Sequence, residues 1–267
     1  MLTGLLAIIL YLTATFLLVR QLLRPASEHP GRNVIITLGL VAVTLHGASL
    51  YAVLFKPDGI DLGFFNALSL IFWLISLVLL VSAYRRPLGA LCVPFLLLAA
   101  VSILLDMTIA SQRVLIINVA WQLQVHIIVS IFAYSILTVA IVQAALLAIQ
   151  DQRLRNHRPG GLIRVLPPLQ DMESFLFQLI AIGFVLLTLS LLTGTLFIDD
   201  MFARHLAHKT VLSIIAWTIF LVLLWGRYRL GWRGKTAMRW TLWGFLTLML
   251  AYLGSKLVLE LILQRVN

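Results

Sequence analysis

The chain has 267 residues, of which 61% are hydrophobic and 11% charged, and its formal net charge is +10 at pH 7. Soluble globular domains are about half apolar and about a quarter charged, so a water-soluble fold of this length could not bury so much apolar surface. The basic residues lie in short loops between apolar stretches, which disfavours a nucleic-acid-binding surface. The single cysteine, Cys92, excludes an internal disulfide and a thiolate metal cluster.

The uncharged stretches are long enough to cross a bilayer. We predict an all-α, polytopic membrane helix bundle of about eight transmembrane helices, forming a single membrane domain over residues 1–267. The predicted spans, in chain order, are 2–22, 33–55, 63–83, 88–106, 121–149, 172–198, 208–226 and 237–262. Pro, Gly and charged residues separate them: a turn is predicted at Lys56 to Gly59, and the longest break runs from Asp151 to Gln170. Segment 108–120 is less apolar and predicts an excursion at the outer face.

The distribution of basic residues predicts the orientation. Fourteen of the 20 Lys and Arg residues lie in the first, third, fifth and seventh loops, and six lie on the other side. Cytoplasmic loops carry the excess of Lys and Arg, so the odd loops are predicted to be cytoplasmic. Both termini are therefore expected on the outer face, and the lipid bilayer is the first partner of the chain.

Three histidines fall in the outer half of the membrane under this topology. His126 lies near the outer end of span five, His208 opens span seven, and His46 lies roughly 12 Å from the outer end of span two. Ionisable residues inside a membrane are costly and are functional candidates. Neutral imidazole is a common ligand of haem iron, and a pair of histidines from two helices would suit a b-type haem.

Packing is the alternative role for these histidines, because an imidazole can also hydrogen-bond a neighbouring helix. The residues alone leave both roles open for His126 and His208, and they favour packing for His46. Ser69 in span three and Gln143 in span five are further predicted hydrogen-bond partners between helices, as is Asn66.

Two stretches carry a resemblance to a known family. The first is Trp121-Gln-Leu-Gln-Val-His126-Ile-Ile-Val-Ser130-Ile-Phe-Ala-Tyr134-Ser. It resembles the helix of cytochrome c assembly proteins of the CcsA/CcmC kind, in which a haem-liganding His at the outer end precedes a Ser and a Tyr. The second combines His208-Lys209-Thr210 with Gly231-Trp232-Arg233-Gly234, and it is similar to the shorter HemX/YpjD-type branch of that family. The resemblance covers about residues 40–260 and implies a multi-pass protein of the bacterial inner membrane with its outer face in the periplasm.

The sequence departs from the family between spans six and seven. Assembly proteins carry there a tryptophan-rich WWD segment that presents haem to apocytochrome, whereas Ile198 to Ala207 contains no tryptophan. Stacking aromatics would be needed to hold a porphyrin in an open cleft, so we expect no haem-ligase activity and no catalytic residues. The family's second outer His has no counterpart in residues 260–267. His208 replaces a proline of the family, and His46 matches only loosely a membrane-embedded His of the larger members.

Two hypotheses follow from the residues and the resemblance. In the first, the protein binds haem through His126, with His208 or His46 as second ligand of the iron, and assists cytochrome c biogenesis or haem homeostasis. In the second, it is a haem-free scaffold or regulator of a membrane protein or a tetrapyrrole-pathway enzyme, which it contacts through Asp151 to Gln170 and Arg227 to Arg239. A solute transporter is disfavoured because no charged site lies at the midplane.

Overall fold

The computed structural model describes residues 1–23, 31–56, 59–61, 63–84, 88–109, 115–116, 121–156, 166–197 and 207–251. Within these ranges the helices are α1 (Leu2–Leu23), α2 (Arg32–Leu54), α3 (Phe64–Ala83), α4 (Gly89–Thr108), α5 (Trp121–Arg155), α6 (Leu169–Phe197), α7 (Ala207–Leu230) and α8 (Lys235–Met249). Three short strands are β1 (Phe55–Lys56), β2 (Gly59–Asp61) and β3 (Leu115–Ile116). The helices begin and end close to the predicted spans. The rest of span eight, from 252 to 262, lies outside the described residues.

Seven of the described helices, α1 to α7, are long and apolar enough to cross a membrane. Large apolar side chains are exposed along them, among them Ile9, Val41, Leu97, Ile182 and Leu221. A bilayer solvates such surface, whereas water does not. The predicted all-helical membrane bundle is therefore confirmed. An eighth crossing and the outer position of both termini stay predictions.

The helices fall into two compact units, one comprising Met1–Asn118 with Gly161–Pro167 and the other Val119–Gly160 with Pro168–Asn267. In the first unit, α1 and α3 each pack against α2 and α4. In the second unit, α5 and α7 each pack against α6 and α8. Each unit is thus a closed ring of four helices in which consecutive helices are spatial neighbours, as in up-and-down bundles. The single membrane domain over residues 1–267 stays a prediction.

A small antiparallel sheet of order β1-β2-β3 completes the first unit. Phe55 pairs with Ile60, and Ile60 pairs with Ile116. The start of α3 is tied to this sheet, because the Gly63 N–H donates to Asp61 Oδ1 over 3.2 Å and the Asn66 amide donates to the Asp61 carbonyl over 3.1 Å. Within the described residues, the Asn66 side chain therefore bonds a strand, and the predicted bond to another helix is not found there. The pairing of Lys56 with Gly59 confirms the predicted chain reversal there.

Helices α5 and α6 approach closely at Gly183. A Cβ atom at this position would lie 2.5 Å from Cδ2 and 2.7 Å from Cγ of Leu137, which is itself fully buried. Small residues allow such close approach in membrane bundles. We expect Gly183→Ala to lower the melting temperature in detergent, because overpacking costs about 1–3 kcal/mol of unfolding free energy. Gly31→Ala is the control, since nothing lies within 4 Å of a Cβ there. Equal melting temperatures for the two variants would contradict this prediction.

Candidate functional site

His126 lies in the second turn of α5, and its ring is held by α6. Its Nδ1 atom lies 3.0 Å from the Ser190 carbonyl oxygen and 3.2 Å from Thr193 Oγ1. A carbonyl oxygen only accepts, so in the neutral imidazole Nδ1 carries the proton and donates it. The lone pair then resides on Nε2, the nitrogen that ligates iron or zinc in many sites. Within the described part of the chain, Nε2 has no hydrogen-bond partner.

Hydroxyl groups surround the anchored ring. Ser130 Oγ donates to the His126 carbonyl over 2.6 Å and lies 2.7 Å from Ser190 Oγ. Since the Ser130 proton is used on the carbonyl, Ser190 donates to Ser130. These contacts join α5 to α6 in the way polar side chains join membrane helices. They also fix the orientation of the His126 ring, so the packing of α5 against α6 determines the direction of its Nε2 lone pair.

Gln122 lies on the same face of α5 as His126, four residues earlier, which places the two Cβ atoms about 5–6 Å apart. Its side-chain oxygen Oε1 is buried, and no described residue bonds it. A buried amide group without a partner costs about 1–3 kcal/mol. This end of α5 thus presents two groups without described partners on one face, the Nε2 atom of His126 and the side-chain oxygen of Gln122. A bound molecule would find there both a metal ligand and a hydrogen-bond acceptor.

His46 is fully enclosed in the first unit. Its Nδ1 lies 3.3 Å from the Tyr11 hydroxyl and its Nε2 lies 3.0 Å from Ser69 Oγ, so both ring nitrogens have partners. The rings of Tyr11 and His46 also meet edge to face, with centroids 5.8 Å apart. His46 therefore links α1, α2 and α3, which is the geometry of the packing role. Its role as an iron ligand stays a prediction.

His208 is the second residue of α7, but its side chain lies outside the described residues. Since α6 ends at Phe197 and α7 begins at Ala207, and the two helices pack together, the backbone of His208 lies at the same end of the second unit as Ser190 and Thr193. Ser69 and Gln143 are confirmed as hydrogen-bond partners between helices. The Gln143 amide of α5 donates to the Met172 carbonyl of α6 over 3.0 Å.

A charged cluster that the sequence analysis does not predict lies at the other end of the second unit. Glu173 near the start of α6 has a side chain that is only 5% exposed, and its Oε1 lies 2.7 Å from Arg227 Nη1 and 3.2 Å from Arg233 Nε. Arg227 also donates to the Trp232 carbonyl over 3.2 Å and lies 4.5 Å above the Phe177 ring centre. The cluster therefore ties α6 to the end of α7 and to the turn before α8. The sequence shows only two acidic residues, Asp171 and Glu173, near the start of this helix, and it does not reveal which of them is buried.

Glycines shape this turn. Gly231 and Gly234 have φ angles of 64° and 53°, which only glycine adopts readily. A Cβ at Gly226 would overlap the Trp232 ring. Glu173 and Ser190 are 17 positions apart on α6, or roughly 25 Å along the helix. The charged cluster and the His126 site thus occupy opposite ends of the second unit.

Comparison with known proteins decides the family. A family model described as Cytochrome C assembly protein matches residues 34–263. The chain belongs to the cytochrome c assembly protein family. Inner membrane protein YpjD of Escherichia coli (strain K12) is 33% identical over 263 residues, which cover 97% of this chain and 98% of that protein. Protein HemX of Brevibacillus brevis is 26% identical over 131 residues, or 48% of each chain. Cytochrome c biogenesis protein CcsA of Chlamydomonas reinhardtii is 26% identical over 182 residues, covering 66% of this chain and 50% of that protein. No solved structure matches the chain.

The family membership confirms the resemblance seen in the sequence, and the matched region includes the expected residues 40–260. The likeness to an inner membrane protein, together with seven apolar helices, confirms a multi-pass protein of the bacterial inner membrane. Membership in the cytochrome c assembly family points to a cytochrome c assembly or haem-related function in the membrane. His126, Ser130 and the turn from Gly231 to Gly234 all lie inside the matched region.

Proposed function

We propose that this protein binds a b-type haem through Nε2 of His126, in the outer half of the membrane, and thereby assists cytochrome c biogenesis or haem homeostasis. The observation that carries the proposal is the hydrogen bond from Nδ1 of His126 to the Ser190 carbonyl, 3.0 Å long. Histidines that ligate metals almost always donate their other ring N–H to a carboxylate, a backbone carbonyl or a water molecule. This contact fixes the tautomer and the ring plane and increases the basicity of Nε2.

The residues beside His126 fit a haem. Gln122 contributes a buried side-chain oxygen without a described partner on the same face of α5, and the neutral imidazole is a suitable ligand for iron. When bound, haem would supply iron redox and ligand-exchange chemistry. The chain's own residues bind and orient: His126 holds the iron, the Ser190 carbonyl and Thr193 hold the ring of His126, and Ser130 joins α5 to α6.

His208 is the favoured second ligand in this proposal. Its backbone position at the start of α7 lies at the same end of the second unit as the His126 anchor. His46, in contrast, already has hydroxyl partners on both ring nitrogens. Ligation by His46 would require the loss of one of these two hydrogen bonds.

The protein then acts as an assembly factor and not as an enzyme. Support comes from the sequence between α6 and α7, which has no tryptophan to stack on a porphyrin. Of the His126 and Glu173 clusters described in the second unit, the His126 cluster offers an unbonded ligand atom. It is therefore the one suited to holding a metal-bearing group. Haem is accordingly a bound cofactor or cargo in this proposal.

The test is an absorption spectrum. The protein is purified in mild detergent from haem-replete cells, and spectra are recorded before and after reduction with dithionite, beside His46→Ala, His126→Ala and His208→Ala. We expect a Soret band with sharp α and β bands after reduction, lost in His126→Ala and in one second variant. A haem-free spectrum that haemin titration leaves unchanged would overturn the proposal and direct attention to the haem-free scaffold hypothesis.

A further inference from the structure

At the end of the second unit where α7 meets α8, the exposed surface of the two helices carries basic residues without ion pairs and exposed tryptophans. Arg229, Lys235 and Arg239 are exposed, and none of them has an ion pair or side-chain hydrogen bond within the described residues. The described parts of α7 and α8 contain no Asp or Glu at all. Neither helix therefore supplies a carboxylate to compensate the charge of Arg229, Lys235 and Arg239.

Arg233 is the fixed member of this basic surface. Its Nε is bound to the buried carboxylate of Glu173, yet 59% of its side chain is exposed. The guanidinium is thereby held at its Nε atom, while its terminal N–H groups have no hydrogen bond within the described residues. A guanidinium presents several donors in a rigid fork that matches phosphate oxygens. Glu173 cannot neutralise the surface, because it is shared with Arg227.

An exposed tryptophan lies about one helical turn from Arg229 and another lies one turn from Arg239, in each case on the side away from the α7–α8 turn. On α7, Trp225 is four residues before Arg229, and on α8, Trp243 is four residues after Arg239. Residues four apart share a helix face and differ in depth by about 6 Å. Both tryptophans are exposed, by 57% and 64%. Since α7 runs toward the turn and α8 runs away from it, the two Arg–Trp pairs have the same order along the membrane normal.

We propose that the α7–α8 turn is a binding site for the headgroup of an anionic phospholipid. Arg229, Arg233, Lys235 and Arg239 contact the phosphate, and Trp225 and Trp243 pack on the glycerol and upper acyl region. Basic clusters at membrane interfaces attract anionic lipids, and tryptophan prefers the headgroup level. The depth order of the paired side chains matches a phospholipid, in which the charge lies outside the apolar chains, and does not match a free phosphate ion.

The experiment compares two double variants that remove the same number of charges. Native mass spectrometry of the detergent-purified full chain measures retention of phosphatidylglycerol, with phosphatidylcholine and inorganic phosphate as the other probes. We expect Arg229→Gln/Arg239→Gln to reduce the affinity for phosphatidylglycerol by about tenfold or more. Arg153→Gln/Arg155→Gln, at the end of α5 where Arg155 is already paired with Asp151 at 3.1 Å, should retain it.

Two further variants separate the site from general effects. Arg229→Lys/Arg239→Lys keeps the charge and is expected to keep most of the lipid, which shows that a loss in the glutamine variant is not misfolding. Trp225→Ala/Trp243→Ala should weaken retention of phosphatidylglycerol without creating affinity for phosphate. The proposal would be overturned if the α7–α8 and α5 glutamine variants lost phosphatidylglycerol equally, or if the protein retained phosphatidylcholine as strongly as phosphatidylglycerol. Competition by millimolar inorganic phosphate would also overturn it.

Discussion

The His126→Ala variant is expected to bind no haem, with no Soret band in the purified protein and no saturable binding on haemin titration. Alanine removes the one described side chain of the second unit that has an anchored ring and an unbonded ligand nitrogen. Loss of a partner around a ligand typically costs 10–100-fold in metal affinity, so loss of the ligand itself should exceed about 100-fold. Titration of the detergent-purified protein with haemin, followed at the Soret maximum, measures this change.

Two matched variants control for damage to the helix. Thr193→Val removes one acceptor from Nδ1 of His126 but leaves the Ser190 carbonyl, so haem binding should weaken and persist. Ser135→Ala removes a buried hydroxyl of the same helix that donates only to the Ile131 carbonyl, so the haem spectrum should remain unchanged. A normal spectrum in His126→Ala together with a lost spectrum in His46→Ala would move the ligand to the first unit.

Arg227→Ala should be the most destabilising replacement of a charged residue in the second unit. It leaves the Glu173 carboxylate, 5% exposed, with Arg233 alone. It also removes the bond to the Trp232 carbonyl and the contact with Phe177. Removing one partner of a buried ion pair costs 3–5 kcal/mol, and partial exposure of Arg227 puts the expectation near the lower limit, at about 3 kcal/mol. Thermal unfolding in detergent should show a fall of several degrees in melting temperature.

Arg155→Ala provides the contrast for this prediction. Arg155 and Asp151 form an exposed pair on α5, with the guanidinium side chain 61% exposed, so the loss should be below about 1 kcal/mol. Adding Glu173→Gln to Arg227→Ala should recover part of the lost stability, because a neutral amide needs no buried counter-charge. Similar melting temperatures for Arg227→Ala and Arg155→Ala would refute a stabilising role for the Glu173 cluster.

The helices α1 to α7 could be predicted from sequence because each contains an apolar stretch long enough to cross a membrane. The predicted span 63–83 and the helix Phe64–Ala83 show how little tertiary packing alters such boundaries. The strands could not be predicted in this way. With two or three residues each, β1, β2 and β3 are too short for an alternating pattern to appear, and they exist because β2 has partners on both sides.

The candidate site was predictable in part. A histidine near the outer end of an apolar stretch is visible as a functional candidate, and so is His46 as a packing residue. The partners of His126 come from 64 and 67 residues further along the chain, and which face of α6 meets α5 depends on the rotation of both helices. Glu173 and the exposed Asp171 look alike in the sequence. Glu173 is distinguished only by its contact with Arg227, which lies near the end of the next helix.

The two rings of consecutive helices have a consequence for synthesis. Every helix contact within the first ring joins segments made before α5, so α1 to α4 can close against one another while the remainder of the chain is still being translated. The second ring then assembles from α5 onward in the same order. Contacts between consecutive segments close short loops and form fast, and units that fold one after another expose less unpaired surface at any moment. The anchor of His126 joins only α5 and α6, so it needs no contact with α7 or α8.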